Sequence, residues 1–298
     1  MRAGGSALLP LLLTGCAAAG PAPAPPPPAV PQAPPVPQPA AAPQPAYSDF
    51  SLTGEPVQGG LVTGTAPSGV TALTLDGKAV PFAPDGRFIL GFDRDQAAQA
   101  LLSARLADGR VVQRTIQVRP RSWAIEHVDV AQRPSSSTAE FLRIREGELA
   151  RIAAARARSS ESQGWRQRFV WPARGRISGV FGSQRVYRGE PGAYHSGVDV
   201  AAGAGATFVA PAEGVVVLAG PPAFSLEGNL VIIDHGMGLN SAFLHLASSS
   251  VSQGQVVRQG QPIGTVGATG RATGPHLHWG MKWGNARIDP QQLAGPMN

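Results

Sequence analysis

Five of the chain's six histidines, His195, His235, His245, His276 and His278, fall after Phe169 in its 298 residues. A lone histidine is usually a surface or satisfied core residue, so it is their spacing that suggests chemistry. In an extended His276-Leu277-His278, both imidazoles share one face and Leu277 takes the other. The two rings can then enter one site. His195-Ser196-Gly197-Val198-Asp199 offers a further imidazole and a carboxylate, but a straight strand would hold them about 13 Å apart. One metal therefore requires the chain to curve, and Gly197 permits the curve without placing a side chain in the way. Two imidazoles and one carboxylate with an open fourth position form a catalytic rather than a structural zinc set. The same donors also form the facial triad of non-haem iron oxygenases.

The elements that must position these residues read as mainly β. From Phe169 onward, Gly-rich segments over 207–210, 214–219, 229–235, 239–246, 263–267 and 276–282 predict short strands of an antiparallel β domain spanning 169–298. Upstream, residues 48–120 carry the hairpin signals Asp76-Gly77, Asp85-Gly86 and Asp108-Gly109, with strands expected over 70–75, 88–92 and 111–118. This pattern predicts a small immunoglobulin-like sandwich. It contains no histidine and its acids fall largely in turns, which suits a spacer or binding module. Between the two, Ser137-Thr138-Ala139-Glu140 has capping-box spacing and opens a linking helix over 135–160. Leu142, Leu149, Ile152 and Ala153 form its expected packing stripe.

Cys16 is the only cysteine, which excludes an intrachain disulfide and a Cys-based metal site. It follows Arg2 and a short apolar run, and Leu13-Thr14-Gly15-Cys16 resembles the lipobox of bacterial lipoprotein signal peptides. Residues 1–16 are then a signal peptide, with Cys16 the lipid-attachment site and membrane contact made through that anchor. The run is too short to span a bilayer. Ala17 after the cysteine resembles the outer-membrane sorting pattern. Residues 17–47 are expected to be a disordered linker; Pro21 to Ala46, almost all Pro, Ala, Gln and Val, cannot build a core and would reach roughly 80 Å as extended polyproline. The net charge of +6 suits an acidic partner. No nucleic-acid-binding motif is present, and the arginines at 143, 145, 151, 156 and 158 read as a solvated helix face.

Taken together, His195-x-Gly-x-Asp199, the run Gly228-Asn229-Leu230-Val231-Ile232-Ile233-Asp234-His235-Gly236, Phe243-Leu244-His245-Leu246, Gly260-Gln261-Pro262-Ile263-Gly264 and Thr269-Gly270-Arg271-Ala272-Thr273-Gly274-Pro275-His276-Leu277-His278 resemble the lysostaphin or LytM-type zinc endopeptidases. Order and spacing agree over about a hundred residues. The resemblance implies one zinc held by His195, Asp199 and His278, with His245 and His276 as unligated catalytic groups. His276 would be the general base and His245 the oxyanion donor, or the reverse. His235 would be structural. The implied substrate is the peptide cross-link of peptidoglycan, a D-alanyl to diaminopimelate bond or a glycine-rich bridge, met in the periplasm. A cell-wall amidase or the division machinery is the implied protein partner. Two departures, Phe243 for Tyr and Trp279-Gly280 where many relatives have an aromatic and then Glu, would alter the substrate groove. The rival reading within the family is a catalytically silent activator of an amidase; such domains commonly lose zinc ligands, and this chain keeps all three.

Overall fold

The computed structural model describes residues 49–131 and 138–297. Cys16, the expected signal peptide, the 17–47 linker and Ser137 lie outside them.

Seven strands come first: β1 (Ser51–Thr53), β2 (Leu61–Thr65), β3 (Val70–Leu75), β4 (Lys78–Ala79), β5 (Arg87–Gly91), β6 (Gln99–Leu106) and β7 (Val111–Gln117). They form two antiparallel sheets, ordered β1-β2-β5 and β4-β3-β6-β7. The alternation of β6, with Ala100, Leu102, Ala104 and Leu106 buried, turns one of its faces toward Phe88 and Leu90 of the other sheet in a shared core. Asp76 and Gly77 are both left-handed, at φ 50° and 76°, in the β3–β4 hairpin. Such a turn is why the Asp-Gly pair is readable in sequence.

A short strand, β8 (Ile125–Val128), leads to the helix α1 (Ala139–Arg156). The α1 cap is Thr138, whose hydroxyl accepts from Phe141 N, one residue later than the expected box. Its packing face also differs from expectation. Ile152 packs on the sheet as expected, but Leu142 and Leu149 are 55% and 50% exposed, whereas Glu148 and Ala155 are buried. The neighbouring surface selects charge. Arg145 makes two 2.6 Å bonds to Glu227 and one of 2.9 Å to Glu148, which in turn accepts from the backbone and hydroxyl of Ser225. Hydrophobic spacing could not disclose a helix seated by ion pairs.

The remaining strands are β9 (Arg176–Gly179), β10 (Gln184–Tyr187), β11 (Glu190–Pro191), β12 (Val198–Ala201), β13 (Thr207–Val209), β14 (Gly214–Leu218), β15 (Asn229–Asp234), β16 (Leu239–Ser249), β17 (Val256–Val257), β18 (Pro262–Val266), β19 (Leu277–Trp283) and β20 (Ala286–Ile288). Ten of them, all but β10 and β11, form one sheet with the central order β17-β14-β15-β16-β19-β12-β9. All its pairings are antiparallel. β8 runs parallel to β10 in a separate small sheet that also contains β11. On one face of the ten-stranded sheet, Val231, Phe243, Leu277 and Trp279 join the main core. On the other, Leu230, Ile232 and Ala242 pack beneath Ala155 of α1. Cover on both faces explains why β15 is a continuous apolar run rather than an alternating one.

Candidate metal centre

β12 and β19 are neighbours, and Asp199 lies directly opposite His278 in their register. Val198, Val200, Leu277 and Trp279 are buried in the core, so strand alternation sends Asp199 and His278 to the opposite face. His195 reaches them because the chain before β12 is tied back onto the β9–β10 turn. His195 N donates to Ser183 O and Gly182 N donates to His195 O, both at 2.8 Å. Gly197 matters through clearance: a Cβ there would stand 2.5 Å from the Trp279 carbonyl and 2.7 Å from His278 Nε2. Gly179 does the same from β9, since a Cβ would collide with Asp199 Oδ2.

The resulting constellation is tight. His195 Nε2 lies 3.1 Å from both Asp199 Oδ1 and His278 Nδ1, and His278 Nδ1 is 2.9 Å from the same Oδ1. His195 Nδ1–H donates to Val180 O at 3.1 Å, so Nε2 is the nitrogen turned toward Asp199 and His278. Burial alone would raise the Asp199 pKa, but hydrogen bonds from His195 and His278 outweigh it and hold the carboxyl well below the usual carboxylate range. Burial lowers His278 against the pull of Asp199. For His195 the balance reverses: burial opposes, and the bond and charge of Asp199 raise it. An ionised carboxylate converging with two imidazole nitrogens, in a cradle kept clear by two glycines, fits a divalent cation of the zinc type.

Two more histidines flank this trio. His276 Nδ1–H donates to Gly274 O at 2.8 Å, while its Nε2 stands 3.8 Å from Asp199 Oδ1, beyond hydrogen-bond range. His245 Nδ1–H donates to Thr269 O at 2.8 Å, and its ring centre is 4.9 Å from that of His276. With Nδ1 tied in each ring, Nε2 is the nitrogen left for a substrate or water. His245 also has φ 64°, and it is the one non-glycine residue with positive φ inside a described strand. It sits where β16 changes partner, Leu244 pairing with β19 and Leu246 with β18. A strained backbone at this junction turns the ring onto the site.

Residues 193–290 match the model of peptidase family M23. A Pseudomonas aeruginosa structure assigned to peptidase M23 superimposes with a TM-score of 0.61 and 30% identity, covering 82% of this chain and 96% of that one. This chain belongs to peptidase family M23. It is 35% identical over 131 residues to the cell division protein DipM of Caulobacter vibrioides, covering 43% of this chain and 20% of DipM. It is 39% identical over 117 residues to the peptidoglycan DD-endopeptidase ShyA of Vibrio cholerae, covering 38% of this chain and 26% of ShyA. The chain thus spans about a fifth to a quarter of these curated relatives.

Within the M23 region, the two departures seen in sequence fall in the core as well as at the site. Phe243 is fully buried with its ring 5.3 Å from Phe208, and Trp279 is fully buried against Trp171, so neither side chain lines a groove. Gly280 alone of the three borders open space beside His278. Sequence reading missed the carbonyls of Val180 and Thr269, which orient His195 and His245. Backbone acceptors carry no side-chain signature, although Thr269 stood within the recognised motif.

His235 is remote from the trio and wholly buried. Its Nδ1–H donates to Glu213 O at 2.7 Å and its Nε2 accepts from Ser241 Oγ at 2.8 Å, while Ser241 Oγ accepts from Trp279 Nε1 at 3.2 Å. This continuous network locks Trp279, the residue after His278, and makes His235 structural. Burial pushes His235 down to about 4 from 6.5. Above pH 6.5 the ring is neutral in both states and contributes nothing to pH dependence. Between pH 6.5 and 4 the unfolded chain takes up a proton that the native state refuses, so stability is lost as the pH falls, by roughly 3 kcal/mol in total at about 1.4 kcal/mol per pH unit. Urea unfolding at pH 7, 6 and 5 is expected to show that fall, with a shallower slope in His235→Gln. Equal slopes would show that His235 is protonated in the fold.

Proposed function

We propose that this protein is a zinc-dependent endopeptidase that hydrolyses peptide cross-links of bacterial peptidoglycan. The observation that carries the reading is the convergence of His195 Nε2, Asp199 Oδ1 and His278 Nδ1 within 3.1 Å of one another, beside two histidines that stand outside the trio. His195, Asp199 and His278 would hold the metal. Bound there, zinc would polarise the scissile carbonyl and make hydroxide accessible at neutral pH. His276 Nε2 is placed to take a proton from the attacking water and to return it to the leaving amine. His245 Nε2 would help orient the attacking water or, once protonated, donate to the oxyanion. The hydrogen bonds at Nδ1 hold both rings for these tasks.

Peptidoglycan as substrate is supported by the names of ShyA and of Mpg, a DD-carboxypeptidase/endopeptidase of Neisseria meningitidis that is 39% identical over 125 residues. A D-alanyl to diaminopimelate cross-link is the preferred target. The order β1-β2-β5 against β4-β3-β6-β7 supports reading residues 48–120 as an immunoglobulin-like module that presents the peptidase. Anchoring to the outer membrane through Cys16 follows from the lipobox resemblance. Labelled palmitate is then expected in the wild type and not in Cys16→Ala, and equal labelling would remove the anchor.

The central test incubates the full zinc-loaded chain with purified peptidoglycan and follows cross-linked muropeptides by chromatography. Dimers should convert to monomers, the conversion should stop on addition of a chelator, and zinc should restore it. Intact dimers together with stimulation of an added amidase would replace hydrolysis by the activator role.

A further inference from the structure

The cavity that opens beside His278 is walled by cations from three elements. It measures about 490 Å³, and Arg156 of α1, Lys282 of β19 and Arg287 share its lining with Ser196, Gly280 and His278. Two nitrogens of Arg156 have been taken out of water without a partner: its Nε and Nη1 are buried and unbonded. The acids near the cavity are already engaged. Glu227 is held by Arg145 through two bonds, and Asp93 accepts from the Arg287 backbone N and from Tyr194 Oη. The cations therefore load one another. Burial and then Arg287 push Arg156 down to about 10, against Glu227, and burial with Arg156 and Arg287 lowers Lys282, against Asp93.

A guanidinium with unbonded buried nitrogens and two more cations for neighbours is unfavourable in the free protein. An arriving anion reverses that balance, and the planar fork of Arg suits a carboxylate. We propose that this cavity is a carboxylate-binding subsite for the peptide substrate, in which Arg156, reinforced by Lys282 and Arg287, receives a carboxylate close to the scissile bond. The inference rests on the peptidoglycan reading, whose stem peptides carry free carboxylates, and deepens it. Arg156 precedes the matched residues 193–290. Selectivity is thus supplied to the peptidase by a helix outside its family core, and the ion pairs of Arg145 and Glu148 hold that helix in register.

The test measures binding without turnover. Calorimetry on the full zinc-loaded chain at fixed ionic strength compares a D-Ala-terminated stem tetrapeptide with free carboxyls against the same peptide with every carboxyl amidated. A charge-assisted contact should favour the free peptide by about 10–100-fold. Arg156→Met should remove most of the preference and Lys282→Met a smaller share. Arg105→Met, an equal charge change on an exposed residue of β6, should leave it intact. The melting temperature of Arg156→Met should equal or exceed that of the wild type, because an uncompensated cation has gone. Equal affinity of the wild type for both peptides, or a preference that survives Arg156→Met, overturns the subsite, as does loss of preference accompanied by a large fall in melting temperature. A chain that binds the free peptide selectively but cleaves no cross-link keeps the subsite and loses the proposed hydrolysis. Cleavage without preference does the reverse.

Discussion

Asp199→Ala is expected to abolish zinc binding and, with it, cross-link hydrolysis. Asp199 Oδ1 is the one carboxylate oxygen in the trio, bonded to His278 Nδ1 at 2.9 Å and His195 Nε2 at 3.1 Å. Removing it takes away both a donor and the negative charge that offsets a divalent cation. Loss of a group that merely orients a metal ligand typically costs 10–100-fold in affinity, so loss of a ligand should cost at least ~10²-fold. Asp199→Asn preserves shape and discards charge, and should weaken zinc nearly as much. Metal content, melting temperature and dimer conversion measured on one preparation separate this from unfolding: zinc should fall below stoichiometry while the metal-free melting temperature stays near that of metal-free wild type. The apolar core behind β12 and β19 does not include Asp199, which is why the fold should survive. Full occupancy in Asp199→Ala would mean that the metal is held elsewhere.

The second large effect should appear with the metal retained. His245 and His276 stand beside the trio without joining it, so substituting either should leave zinc stoichiometric and reduce hydrolysis by about 10²–10⁴-fold, the usual cost of a positioned acid, base or oxyanion donor. For His245 the choice of variant matters. Its backbone is left-handed, a conformation that histidine and asparagine visit more readily than alanine. Asparagine tolerates that conformation, and its amide can still donate to the Thr269 carbonyl while offering nothing in place of Nε2. His245→Asn should therefore melt near wild type and be inactive. His276→Ala carries no such backbone burden. Near-normal hydrolysis in both variants would reduce the two histidines to a packing role.

Much of the site was legible because its chemistry lies in side chains at short spacings. His276-x-His278 on a strand and His195 four residues before Asp199 announce convergent donors, and the antiparallel β character follows from short apolar runs between glycines. α1 was misread for the opposite reason. Ile152 packs inward as its place in the stripe predicts, beside Ala155, but Arg145, Glu148 and Arg156 share that face, and only the surface presented by Glu227, Ser225 and the cavity makes them inward. Similarly, Phe243 and Trp279 looked like groove residues by position in a motif, whereas strand alternation buries them.

By itself, then, the sequence determined the mainly β class, the four histidines and the aspartate that compose the site, and the glycine between His195 and Asp199, because these depend on residue type and local period. Three things were decided only by tertiary structure. The first is the pairing of Asp199 with His278 across strands 79 residues apart. The second is the backbone carbonyls of Val180, Gly274 and Thr269, which choose the free nitrogen of His195, His276 and His245. The third is Arg156, its Nε and Nη1 unbonded, carried by α1 to the cavity beside His278. Each is a relation between groups distant in the chain or invisible in their side chains, and such relations exist only once strands are in register and a helix is seated on them.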